Sequence, residues 1–237
     1  MERLAQETKS LLNITLTKRQ RLALRKYEQE LIDWNKRYNL TAINKPNKIR
    51  RKHFLDSFTA AFALRDSKID RVIDVGTGAG FPGIPLKIIF PQMTMVLLES
   101  VGKKVEFCQH IINIIGLEGI NIIKGRAEAI GKLPAHREKY DWAIARAVAN
   151  LSILSEYLLP LVRVGGKVLA MKGESGLAEA HTAENAINLL GGKLQQLIPV
   201  SLPGVVEERY LIVIDKVATT PKQYPRRIGI PKKRPLE

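Results

Sequence analysis

The chain has a single cysteine, Cys108, in 237 residues, which excludes an intrachain disulfide. Its four scattered histidines complete no metal-ligand set with it. No apolar run approaches the roughly 18 residues that a membrane-spanning helix needs. The opening stretch, Met1 to Glu7, lacks the apolar core of a secretory signal. A chain without disulfides, spans or leader is expected in the cytoplasm, with no membrane or metal partner. Acidic residues are also scarce: 23 stand against 38 Lys and Arg, a formal net charge of +15. That excess favours a polyanion as partner.

The positive charge is concentrated at the two ends. From Lys18 to Tyr38 the apolar residues Leu24, Tyr27, Leu31, Trp34 and Tyr38 recur at steps of three and four, one face of an amphipathic helix. A basic run follows, in which Arg50, Arg51 and Lys52 are candidates for phosphate contact. It leads into a second helix through Ala63. The neighbouring His53 is read as structural, since a lone histidine is weak evidence for a base. The stretch from Pro221 carries Arg226, Arg227 and Lys232 around Tyr224. Its prolines predict no helix, and its charge suits an arm that tracks phosphates. Residues 1–65 thus read as a basic helical extension, 66–217 as an α/β core and 218–237 as a basic tail.

The core is organised around Asp74-Val75-Gly76-Thr77-Gly78-Ala79-Gly80-Phe81. A short apolar run predicts a buried parallel strand, and glycines at 76, 78 and 80 let the chain turn tightly where a ligand approaches. A dinucleotide fingerprint needs a glycine where Phe81 stands. The glycines instead form Asp-x-Gly-x-Gly-x-Gly, similar to the first motif of class I S-adenosylmethionine (SAM) methyltransferases. An acid before the loop suits an ammonium and repels a pyrophosphate. Met93 to Glu99 predicts a second strand ending in an acid about 20 residues past the first glycine, the place of a ribose-binding carboxylate.

Further strands are predicted over Asn121–Lys124, Tyr140–Ala147 and Gly165–Gly173, with helices over Lys103–Ile115, Leu151–Leu161 and Leu177–Leu190. Two last strands, near Lys193–Val200 and Arg209–Lys216, read as a hairpin around Pro203-Gly204. In methyltransferases of this kind the turn after the third strand holds the adenine edge, where Ala127 and Glu128 stand. Arg146 falls at the end of the fourth strand. The Asn/Asp-Pro-Pro-aromatic signature of adenine amino-group methylation is absent there, which argues against exocyclic-nitrogen chemistry.

Taken together, several stretches resemble the glucose-inhibited division protein B family. They include Trp34 to Thr41, His53 to Ser57, Asp74 to Pro85, Gly125 to Glu128, Ala145 to Ala147, Met171 to Gly173 and Tyr224 to Pro231. The resemblance implies a class I SAM-dependent methyltransferase fold, a seven-stranded sheet ending in an antiparallel hairpin, with an N-terminal helical extension. It implies methylation of guanine N7 in 16S rRNA of the small ribosomal subunit, with SAM as cofactor and a monomer as the default state. The cofactor set would be Asp74, Gly76, Gly78, Gly80, Phe81, Glu99, Ala127, Glu128 and Arg146. Arg126, Arg146 and Lys172 would position the reactants. N7 carries a free lone pair, so no general base is required. A nicotinamide-dependent oxidoreductase, a small-molecule methyltransferase and a non-catalytic RNA-binding protein are the rival readings.

Overall fold

A computed structural model describes residues 1–64 and 70–236. The expected boundary between 65 and 66 lies outside the described residues. Two helices open the chain, α1 (Glu2–Leu12) and α2 (Lys18–Tyr38). Thr17 and Gln20 form a reciprocal capping box at the start of α2, satisfying two otherwise orphaned backbone donors. Leu24, Tyr27 and Leu31 turn inward as their spacing predicts. The helix stops where Asn39 adopts a left-handed conformation, φ 48°.

The basic run does not enter an ordinary helix. It passes from α3 (Pro46–Ile49) through a π-helical turn, Arg50–Leu55, into α4 (Asp56–Phe58), with α5 (Ala61–Leu64) beyond. Such wide turns cluster at functional sites, and this one carries His53.

Seven strands follow, with helices between them. They are β1 (Arg71–Val75), α6 (Gly83–Ile89), β2 (Thr94–Glu99), α7 (Gly102–Ile115), β3 (Ile120–Lys124), α8 (Ala127–Ile130) and β4 (Tyr140–Arg146). Then come α9 (Leu151–Leu158), β5 (Val162–Lys172), α10 (Gly176–Thr182), α11 (Glu184–Leu189), β6 (Gly192–Val200) and β7 (Arg209–Lys216). The helix expected over Leu177–Leu190 is broken at Ala183 into two. The sheet order is β3-β2-β1-β4-β5-β7-β6. The first five strands are parallel, and β7 inserts antiparallel between β5 and β6. The expected class I architecture with its terminal hairpin is therefore observed.

Period-two alternation divides the core. Val72, Met95, Leu97, Trp142, Ile144, Leu169 and Val213 join the N-terminal helices, α6 and α7 on one face. Ile73, Val75, Val96, Leu98, Ala143, Ala145, Val168 and Ile212 pack with α9 on the other. The N-terminal helices are thus part of the main core. No helix among the described residues is long and apolar enough to cross a membrane.

The tail differs from the expected arm. Arg226 forks onto Glu156 of α9, a fully buried carboxylate, through Nε and Nη2 at 2.6–3.1 Å, and its backbone N–H adds a bond of 2.7 Å. Arg137 donates to the carbonyls of Thr220 and Tyr224, each at 2.7 Å. The prolines also fail to exclude a helix, since α12 (Ile230–Lys233) forms one turn. Pro231 lies in that first turn, where a missing N–H costs nothing. Removing Arg226 leaves a buried charge unpaired, a loss of roughly 3 kcal/mol or more. Arg226→Ala is expected to lower Tm by about 6 °C or more in a thermal melt.

Candidate active site

Strands β1, β2, β4 and β5 end at one edge of the sheet, and strand order reverses at β1. Open α/β sheets bind ligands in the crevice at such a reversal. The register pairs Asp74 with Leu97 and Ile144, Arg146 with Met171, and Lys172 with Tyr210. Because β7 runs the opposite way, its beginning, Arg209, lies at the same edge as the ends of the other strands.

Asp74 is fully buried. Its Oδ2 accepts from the Thr77 hydroxyl at 2.6 Å and from the Gly83 N–H at 2.8 Å, which pins both ends of the glycine loop. Its Oδ1 has no hydrogen-bond partner among the described residues. Burial pushes the carboxyl up to about 6, against the opposing effect of those two bonds and of Arg146. Such a buried oxygen is an acceptor open to a further donor, and an ammonium has the matching charge.

The loop itself has positive φ at Gly76, Gly78 and Gly80, 70°, 63° and 94°. At Gly80 a Cβ would lie 2.6 Å from the Tyr27 hydroxyl, and that hydroxyl donates to the Ala79 carbonyl. Glu99 accepts from the N–H groups of Gly78, Ser100 and Val101 at 2.9, 2.7 and 2.8 Å. Cys108, expected as a core residue, is buried in α7 with its thiol donating to the Gly78 carbonyl.

Phe81 is the floor of a ring stack. His53 lies on it at 4.4 Å between centroids and Tyr27 at 5.3 Å, and the Arg146 guanidinium sits 5.3 Å above the ring. The Arg146 Nη2 donates to His53 Nδ1 at 3.3 Å. A guanidinium only donates, so the ring proton is on Nε2, which faces the Thr41 hydroxyl at 2.9 Å. Burial, reinforced by Arg146, pushes His53 down to about 3. The imidazole is neutral and both nitrogens are engaged.

Next to this stack is a cavity of about 380 Å³, lined by Lys52, His53, Asp56, Arg146, Lys172 and Arg209 among others. A larger one, about 630 Å³, lies at the far edge of the sheet between α2 and the ends of α6 and α7. It shares no lining residue with the smaller cavity and none with the glycine loop.

The expected site residues fall into two sets. Asp74, the three glycines, Phe81, Glu99 and Arg146 converge on the crevice. Ala127 and Glu128 are buried on α8, which packs against α9, and Glu128 Oε1 accepts from the tail's Gly229 N–H at 3.0 Å. Exposed Arg126 is the N-cap residue of α8 and does not line the cavity that Arg146 and Lys172 share. The three positioning candidates therefore do not form one cluster. Lys172 donates to the Ala149 carbonyl and pairs with Glu179, both at 2.7 Å.

Among the basic candidates, Arg50 pairs with Glu28, Arg51 with Glu7 and Lys52 with Glu207. Arg226 belongs to Glu156, while Arg227 and Lys232 are exposed. Asp56 and Arg209 were not singled out from the sequence. Asp56 sits within the quoted His53 to Ser57 stretch, and nothing local marks Arg209.

A family model described as GidB, rRNA small subunit methyltransferase G, matches residues 20–208. The chain belongs to this family. The GidB relative named ribosomal RNA small subunit methyltransferase G in Roseiflexus castenholzii is 48% identical over 94% of this chain and 94% of its own length. Its namesake in Chloroflexus aggregans is 43% identical over 99% and 98%. Among solved structures, M. jannaschii TYW2 in complex with AdoMet shares the fold, with a TM-score of 0.56 at 14% identity, covering 70% of this chain and 76% of that one. GidB proteins are by that description rRNA small subunit methyltransferases, and the likeness to TYW2 shows a fold shared with an AdoMet-binding protein.

The state of His53 has a measurable consequence. Its folded value is below the unfolded one, so the unfolded chain binds the extra proton and stability falls as pH drops from about 6.5 towards 3. His53→Gln is expected to flatten that part of the stability profile, read as urea midpoints across this range.

Proposed function

We propose that this protein transfers a methyl group from SAM to N7 of one guanosine in the 16S rRNA of the small ribosomal subunit, in the cytoplasm. The observation that carries this reading is the condition of the titratable groups around the 380 Å³ cavity. Asp56 is shared by two arginines, Glu207 by Lys52, and Glu208 accepts from the Tyr210 hydroxyl. His53 is neutral with both nitrogens engaged. None of these groups is poised to remove a proton, so the chamber suits an acceptor that already has a free lone pair. Guanine N7 is such an atom, whereas an exocyclic amine or a hydroxyl calls for a base. A small-molecule acceptor with the same property is the second reading, and it leaves the +15 charge without a use.

SAM, when bound, supplies an electrophilic methyl on a sulfonium. Asp74 Oδ1 would take its ammonium, and Glu99 the ribose hydroxyls through lone pairs its backbone donors leave free. Glu128 and the Ala127 backbone would hold the adenine edge. Gly76, Gly78 and Gly80 keep side chains out of the approach. Phe81 and Arg146 wall the crevice on the cavity side and keep water from the reacting atoms. Alignment and exclusion of water then account for catalysis, with N7 facing the loop in line with the methyl.

Outside the crevice, Lys52, Arg227 and Lys232 are the members of the expected basic set best placed for phosphates. Arg50, Arg51 and Arg226 are already committed to internal carboxylates. Arg126 and Lys172 contribute at the edges, Lys172 by fixing the Ala149 carbonyl.

The direct test is methyl transfer from SAM to small subunits from a strain lacking this protein, with the site mapped by cleavage at N7-methylguanosine. Incorporation at one guanosine, lost in Gly76→Asp, is expected. SAM binding without transfer to subunit or naked RNA would turn the reading to a small-molecule acceptor. Asp74 adds a pH signature, because only its ionised form pairs with the ammonium. SAM affinity should fall by up to about tenfold per pH unit below about pH 6. By calorimetry, Asp74→Asn should bind weakly and without this dependence.

A further inference from the structure

The cavity is richer in donors than its charge count suggests. Asp56 holds the Arg146 Nη1 on Oδ2 and the Arg209 Nε on Oδ1, each at 2.7 Å. The three side chains are nearly buried, with 10, 13 and 18% exposure for Asp56, Arg146 and Arg209. Two guanidiniums on one carboxylate leave a net positive charge in a partly closed space, where charge acts more strongly than in water. Arg209 also donates Nη1 to the Glu207 carbonyl at 2.7 Å. Its Nη2 makes no hydrogen bond among the described residues, yet the residue lines the cavity.

These contacts make a fixed fork. One carboxylate sets the plane of Arg209, a backbone carbonyl sets its rotation, and three of its five N–H donors are left over, two of them on Nη2. Around Asp56 both carboxylate oxygens face guanidiniums, so a ligand edge that reaches Arg209 and Arg146 meets donors there. That selects for a base edge carrying acceptors alone. Guanine presents N7 and O6, both acceptors, while adenine presents an acceptor and an amino donor in the same positions. If N7 is to receive the methyl, O6 is the atom left for a protein donor.

We propose that Arg209 reads O6 of the acceptor guanine through Nη2, and that Asp56 is a positioning residue holding Arg209 and Arg146 side by side. This rests on the guanine-N7 reading above and gives that reading its base specificity. Arg209 is then a substrate contact supplied by the antiparallel strand, outside the cofactor-binding half of the sheet. Asp56 acts only through the two arginines, and its place at the end of the π-helical turn brings the N-terminal helices into substrate selection.

The test is a cycle of two substrates and two side chains. Small subunits are reconstituted around rRNA carrying guanine or 2-aminopurine at the target, the latter keeping N7 and the 2-amino group but lacking O6. The wild-type enzyme is expected to prefer guanine in kcat/KM by roughly tenfold or more. Arg209→Ala should lose activity on guanine and bring the ratio close to one, with S-adenosylhomocysteine affinity unchanged by calorimetry. Arg209→Lys keeps a cation beside Asp56, so its fold is preserved, yet it should lose most of the preference. Asp56→Asn should lower the ratio, and a ratio equal to wild type in this variant removes Asp56 from the positioning role. A guanine preference equal to wild type in both Arg209 variants overturns the proposal. Wild-type enzyme that methylates neither substrate overturns the N7 reading, and this inference falls with it.

Discussion

The site depends on one buried carboxylate. Asp74 uses a single oxygen to hold the Thr77 hydroxyl and the Gly83 N–H, and so closes the loop between β1 and α6 on itself. Its location at the strand-order reversal puts the loop where five parallel strands open a crevice. A buried acceptor left without a donor costs of order 1–3 kcal/mol, so Oδ1 is a place where a further donor is stabilising.

Cations in this chain do two kinds of work. Arg50, Arg51 and Arg226 tie distant segments together by pairing with partly or fully buried glutamates. A count of basic residues does not distinguish these from cations free to meet a phosphate. The +15 balance pointed to a polyanion, but the residues at which it first suggested contact are in part internal struts. Long-range pairing is invisible in a linear sequence, since Arg226 and Glu156 are 70 positions apart.

Strands were legible because apolar alternation and glycine punctuation are local signals. The parallel core, the glycine loop, Asp74 and Glu99 could all be read from neighbours in the chain. Arg209 could not. A functional residue on a parallel strand is sought at the strand's end, and β7 reverses direction, so its first residue reaches the site instead. Asp56 was hidden for another reason: its partners are 90 and 153 positions away. The tail was misread through composition, because proline-rich basic stretches resemble free arms until a buried glutamate claims one of them.

That last pairing also orders events in time. Glu156 is made 70 residues before the guanidinium that neutralises it. At translation rates of about 5–20 residues per second, its carboxylate waits roughly 4–14 s without that cation. The face of the sheet under α9 therefore finishes packing only after the tail emerges, and Gly229, which bonds Glu128, arrives with it. A nascent chain stalled before Arg226 has its glycine loop but not its closed second face.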